Sequence, residues 1–130
     1  MKEWSSAWIS SKKPKKQRKY RYNSPLHIRK KFLRANLAKD LRSKHKMRSV
    51  GVRKKDKVKI LRGQFKNKIG IVTKVSVKKC KVYVEGIEQV RKDGTKSFYP
   101  LTPSNLQIIE LNLDDKRRIK IKENGKKTPK

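Results

Sequence analysis

Two groups of residues in this chain have the types and spacing to do chemistry, and in both the chemistry is anion capture. Lys12, Lys13, Lys15, Lys16, Arg18 and Lys19 run into Tyr20 and Tyr22, which alternate with Lys19 and Arg21. Cations interleaved with flat rings suit phosphate contact together with stacking on splayed bases or sugars. The second group is Arg62, Gly63, Gln64, Lys66 and Lys68. There a glycine beside cations lets the backbone approach a phosphate without a Cβ clash, while Phe65 either pins the loop to a core or stacks on a base. Arg29, Lys30 and Lys31 beside His27, and farther on Arg42, Arg48 and Arg53, continue the basic series. Together these residues are the candidate anion-binding set. Arg91, Lys92 and Lys96 add a third crowd, which is either solvated or relieved by an anionic neighbour.

Other chemistries lack their residues. His27, His45 and Cys80 stand at spacings unrelated to metal ligation, so no metal site is expected. His27 is either an ordinary histidine or one held near phosphates. Acidic residues are few and scattered, and Asp114-Asp115 reads as the start of a helix. With no nucleotide-binding loop, no nucleophile beside a base and no paired carboxylates, the chain is read as non-enzymatic, with no cofactor and no small-molecule substrate. A single cysteine excludes an internal disulfide framework and points to a reducing compartment. No apolar run is long enough to span a membrane, and the N-terminus lacks a signal core.

The charge balance identifies the partner class. The chain of 130 residues carries 40 Lys and Arg against 10 Asp and Glu, a net charge of +30, with only 33% apolar residues. Such a chain repels itself in the compact state, and a dense polyanion removes that cost while releasing its counterions. Nucleic acid fits better than a membrane surface. The charge is graded: residues 1–55 hold 20 Lys and Arg against Glu3 and Asp40, residues 56–111 hold 12 against five acidic residues, and residues 112–130 hold eight against three. A compact core over about half the chain, with arms that order against a partner, is the expected organisation.

The elements that must position these groups follow from periodicity. Residues 1–23 read as an extended basic arm held open by its like charges, in which Trp4 and Trp8 pack either on RNA or on a neighbouring protein. Residues 24–55 read as a helical basic extension and linker, with Ser24 as N-cap, Pro25 at the first helical position and Asn36 separating two short helices. At residue 56 the period changes from 3.6 to 2. Val58 and Ile60, Ile69 to Val75, Cys80 to Val84, the two arms of an Asp93-Gly94 hairpin, and Leu106 to Leu111 read as short strands of a mostly β unit, a small barrel over residues 56–111. Val58, Ile60, Ile69, Ile71, Val72, Val75, Val82, Val84, Leu106 and Ile108 form its expected core. Residues 112–130 read as a closing helix over 112–122 and a basic tail.

The segment from Lys55 through Val75, with Gly63 and Gly70 flanking the basic loop, resembles a KOW motif, with Asn67 where glycine often stands. Asn tolerates left-handed backbone well, so the departure is mild. Around it, Asn23-Ser24-Pro25-Leu26-His27-Ile28-Arg29, Leu37-Ala38-Lys39-Asp40-Leu41-Arg42, Met47-Arg48-Ser49-Val50, Gly86-Ile87-Glu88 and Pro103-Ser104-Asn105-Leu106 follow in a characteristic order. Over residues 13–122 the chain resembles the large-subunit ribosomal protein family numbered twenty-four in bacteria and twenty-six in eukaryotes. The basic extension is similar to the archaeal and eukaryotic branch, and the short tail leans toward archaea. The resemblance implies an SH3-like barrel, binding to the 5′ domain of large-subunit rRNA through the basic set named above, and an early role in subunit assembly. It also implies neighbouring ribosomal proteins near the polypeptide exit tunnel, in the cytoplasm. Two other classes compete: a transcription factor using a KOW module, which would need an additional α/β domain, and a cationic membrane-active or DNA-compacting protein.

Overall fold

The computed structural model describes residues 4, 5, 8, 11–115 and 118. Among these residues, three α-helices, α1 (Pro14–Asn23), α2 (Leu26–Phe32) and α3 (Lys39–His45), are interleaved with eight strands. The strands are β1 (Arg34–Leu37), β2 (Ser49–Gly51), β3 (Lys57–Ile60), β4 (Ile69–Ser76), β5 (Lys81–Val84), β6 (Glu88–Val90), β7 (Lys96–Phe98) and β8 (Leu106–Glu110). Six of them form one mixed sheet in the order β2-β1-β8-β3-β4-β5, while β6 and β7 form a separate hairpin. The fold is therefore mostly β. The expected closed barrel is not what is found: among the described residues β2 and β5 are edges, with β5 extended only by a bridge from Val82 to Leu101.

The N-terminal third departs most from expectation. The arm is not extended through residue 23: Pro14 to Asn23 is helical, because Pro14 suits the first turn and Lys, Arg and Gln are good helix formers. Ser24 does not cap α2. Its hydroxyl donates 2.8 Å back to the Arg21 carbonyl at the end of α1, and Pro25 holds the N-cap position of α2. Asn36 does not divide two helices but lies within β1, which pairs antiparallel with β2 and parallel with β8. Leu33, Ala35 and Leu37 are all buried, an alternation that only an extended chain places on one face. The segment read as linker, 47–53, contains β2 and contributes Val50 and Val52 to the core.

From β3 onward the strands fall where alternation places them. The reversal at Asp93-Gly94 is found there too, but as a longer loop: the last ladder pair is Val90 with Lys96, and Arg91 and Thr95 close the loop by a hydrogen bond of 2.9 Å. The core holds Val58, Ile60, Val72, Val82, Val84, Leu106 and Ile108, with Val75 partly buried against it. Leu33, Ala35, Leu37, Val50, Val52, Ile87 and Leu101 complete it. Ile69 and Ile71 do not belong to it, being 54% and 47% exposed. The inward position between them is taken by Gly70, where a Cβ would stand 2.7 Å from Val84 Cγ1 and 2.8 Å from the Glu85 carbonyl oxygen. Backbone oxygen cannot retreat as a side chain can, so Gly70→Ala should cost about 1–3 kcal/mol, as overpacking does. A urea titration checks this; an unchanged midpoint would show that β4 and β5 can part freely. Beyond Val72 a register shift against β5 between Val72 and Lys74 restores Val75 to the inner side.

The closing helix expected over 112–122 lies largely outside the described residues. Its described start is irregular: the Asp114 amide donates 2.8 Å to Asn112 Oδ1 and turns the chain. Arg118, which no sequence signal singled out, is buried against Asp56. Its guanidinium grips both Asp56 carboxylate oxygens at 2.6 Å and also donates to the Asn112 and Gly51 carbonyls at 2.8 and 3.0 Å. Asp56 accepts two more bonds, from the amides of Arg53 at 2.8 Å and Asn112 at 3.1 Å.

Candidate nucleic-acid interface

The basic arm is built on α1. Lys12, Lys13, Lys15, Lys16, Arg18, Lys19 and Arg21 are all exposed, and Tyr22 is 78% exposed. Tyr20 is turned the other way. It stacks on Trp8 with ring centroids 4.4 Å apart, meets Trp4 at 5.3 Å and presents its edge to Phe32 at 6.4 Å. The two tryptophans thus pack within the chain. Arg21 lies over the other aromatic of this group, Phe32, at 5.9 Å. These contacts fix α1 beside α2 even though its like charges oppose compaction.

On α2, His27, Lys30 and Lys31 are exposed, but Arg29 is half-buried and used as a rivet. Its Nε donates 2.8 Å to the Ser24 carbonyl, one terminal nitrogen donates 2.7 Å to the Lys78 carbonyl, and the other donates to the Tyr22 carbonyl. Arg42 is similarly engaged, donating 2.7 Å to the Leu37 carbonyl, and Arg53 pairs with Asp115 at 2.5 Å. Arg48 is exposed. Of the expected set, Arg29, Arg42 and Arg53 therefore spend donors inside the fold.

The β3–β4 loop presents Arg62, Lys66 and Lys68 to solvent. Gly63 turns it with φ +96°, and Asn67 adopts a left-handed φ of +68°, as its type permits. Hydrogen bonds of 2.8 Å from the Asn67 amide to the Ile60 carbonyl and 2.9 Å from the Ile60 amide to the Lys68 carbonyl close the loop. Phe65 pins it, tilted against Tyr99 at 5.3 Å, and Lys68 lies over the Phe65 ring at 5.4 Å. At the β6–β7 tip the Thr95 hydroxyl and then its backbone N–H hold the Asp93 carboxyl below the usual carboxylate range. Asp114 is lowered by the Asn112 side chain and then by Lys55.

Charge on this surface has few internal partners. Among the described residues the ion pairs are Arg53–Asp115, Lys55–Asp114, Lys57–Glu110 and Arg118–Asp56, and none involves a cation between Lys12 and Arg48. The fold also gathers cations that the sequence reading left out. Arg34, Lys78, Lys79 and Lys81 join Arg18, Arg21 and Arg29 around one groove. The Lys78-Lys79-Cys80-Lys81 run was the available signal; its meaning depended on where α1 and α2 dock. Among the described residues there is no cluster of His, Cys, Asp and Glu that could hold a metal, and no helix long and apolar enough to cross a membrane.

The chain matches, over residues 11–124, the family described as eukaryotic ribosomal protein L26 together with its archaeal counterpart. It is 46% identical over 111 residues to the large ribosomal subunit protein uL24 of Methanothrix thermoacetophila, covering 85% of this chain and 96% of that protein. It is 48% identical over 110 residues to the large ribosomal subunit protein uL24 of Methanoculleus marisnigri, covering 85% of this chain and 91% of that protein. The match runs through α1, the sheet, the basic loop and the hairpin alike, and the chain belongs to the ribosomal protein family of eukaryotic L26 and archaeal uL24, in its archaeal form.

Proposed function

We propose that this protein is a structural, non-enzymatic constituent of the large ribosomal subunit that binds the 5′ domain of large-subunit rRNA. It supports early assembly there and lies near the exit tunnel beside other ribosomal proteins, in the cytoplasm. The observation that carries the RNA contact is the row of exposed cations on α1 and α2, Arg29 aside, none of which forms an ion pair among the described residues, continued by Arg62, Lys66 and Lys68 on the β3–β4 loop. Phosphates neutralise this surface at no cost in internal ion pairs, and charge-assisted hydrogen bonds offset the ordering of the side chains. The β3–β4 hairpin is read as the KOW element of an SH3-like unit, with Gly63 turning its loop and Phe65 holding it in place.

Sedimentation of cell lysate tests the reading. The native protein should travel with the large subunit through a density gradient and remain there at moderately high salt. Recovery at the top of the gradient, or with RNA polymerase, would overturn it.

A further inference from the structure

The groove between α1, α2 and the β4–β5 turn has a volume of about 530 Å³. We infer that it is a binding site for single-stranded RNA, holding a sugar-phosphate tract along its cations with an unpaired base stacked on Tyr22. The inference rests on the RNA-binding reading above and names the form of RNA one part of that surface takes.

Three features carry it. The groove is preformed, because Arg29 ties its walls together through the Tyr22 and Ser24 carbonyls on one side and the Lys78 carbonyl on the other. A site fixed before binding saves the ordering cost that a loose arm would meet. The charged groups of the groove are all cations: Arg18 and Arg21 from α1, Arg34, Lys78 and Lys79 from the turn and Lys81 from β5 line it, and among the described residues no carboxylate does. Clustered like charges destabilise the free protein, and successive phosphates remove that repulsion.

The third feature selects the strand form. Tyr22 stands at the groove with 78% of its surface in solvent, while Tyr20, two residues earlier, is packed among Trp4, Trp8 and Phe32. An exposed ring beside cations offers a stacking face. Only an unpaired base can use it, since duplex RNA keeps its base faces covered. Lys81 Nζ donates 3.0 Å to Thr102 Oγ1, so the far wall is held in place as well.

The sole cysteine of the chain, Cys80, lines this groove and is partly exposed, which gives a direct readout of its occupancy. The full-length protein is titrated with an oligouridylate of about ten nucleotides, within the site sizes of single-strand grooves. A hairpin duplex of matched phosphate count and a fragment of large-subunit rRNA are titrated in parallel. Saturating oligouridylate should slow Cys80 alkylation by iodoacetamide several-fold, and saturating duplex should leave it unchanged. Tyr22→Ala should weaken oligouridylate binding about tenfold and leave duplex binding unaltered, as loss of one stacked base does. Lys78→Gln with Lys79→Gln should reduce the steepness of salt dependence by about 1.4.

An unchanged alkylation rate at saturating oligouridylate overturns the proposal, as does an equal loss of duplex affinity in Tyr22→Ala. If the rRNA fragment still binds in those cases, the groove assignment alone has failed. If the fragment does not bind at all, the ribosomal RNA reading has failed with it.

Discussion

Asp56→Ala will lower the free energy of unfolding by about 3–5 kcal/mol, the usual cost of removing one partner of a buried ion pair. Asp56 is wholly buried and Arg118 is 7% exposed, so neither group can turn to water without local opening. The alanine variant deletes an acceptor of four hydrogen bonds and leaves a guanidinium enclosed with no counter-charge. Arg118 Nε already lacks a partner, which removes any reserve on that side. Against a total of about 5–15 kcal/mol for a small domain, this is a large fraction. Asp56→Asn should cost less, because one oxygen still accepts. Adding Arg118→Met to Asp56→Ala should recover part of the loss, because the isolated charge goes with it. Equilibrium urea unfolding of the four proteins measures all of this. A deficit below about 1 kcal/mol in Asp56→Ala would mean that Arg118 swings free and that the ion pair does not hold Arg118 to the sheet.

Affinity for an rRNA fragment will fall roughly 300- to 15,000-fold between about 50 and 200 mM salt, the behaviour of a protein neutralising roughly six to ten phosphates at about 0.7 each under single-strand rules. The exposed cations of α1 and α2 and of the β3–β4 loop are numerous enough for that many contacts, and among the described residues none of them is held in an ion pair. Filter binding across a salt series gives the slope. Lys15→Gln, Lys16→Gln and Lys19→Gln together should make it shallower by about 2, at about 0.7 per phosphate lost under single-strand rules. A wild-type slope flatter than about −2 would show that the surface meets few phosphates, and the α1 cations would then serve solubility.

The β unit was legible because its information is local. Asp93-Gly94 marks a reversal wherever its flanking strands go. It is closed not as a two-residue turn but as a loop of Lys92, Asp93 and Gly94, with the Arg91 amide donating 2.9 Å to the Thr95 carbonyl and Gly94 at the positive φ of +80° that such loops place last. The N-terminal third was not legible for the opposite reason. Leu33, Leu37 and Leu41 fit helical spacing as well as Leu33, Ala35 and Leu37 fit a strand, and what decides is β8, a partner far along the chain. Ile69 and Ile71 misled because a glycine fills the inward position between them, and a glycine carries no apolar signal. Arg118 was hidden inside Lys116-Arg117-Arg118, where nothing in residue type marks one arginine as buried. The basic candidates of α1, α2 and the β3–β4 loop were readable from composition. The convergence of Lys78, Lys79 and Lys81 with α1 was not, since it depends on Arg29 joining segments about fifty residues apart.

The position of β8 bears on how the chain reaches this shape. Asn36 pairs with Gln107, and β8 stands between β1 and β3 in the sheet. During synthesis the β2-β1 pair and the β3-β4-β5 meander emerge as two separate half-sheets. Each has an open edge waiting for β8, the last strand among the described residues. Closure across about seventy residues is entropically slow, which places folding among the millisecond-to-second topologies. Until β8 inserts, the cation-rich N-terminal segment has left the synthesis machinery while its half-sheet keeps an open edge at β1, so under the RNA-binding reading proposed above its cations are on offer to a polyanion before the sheet is complete.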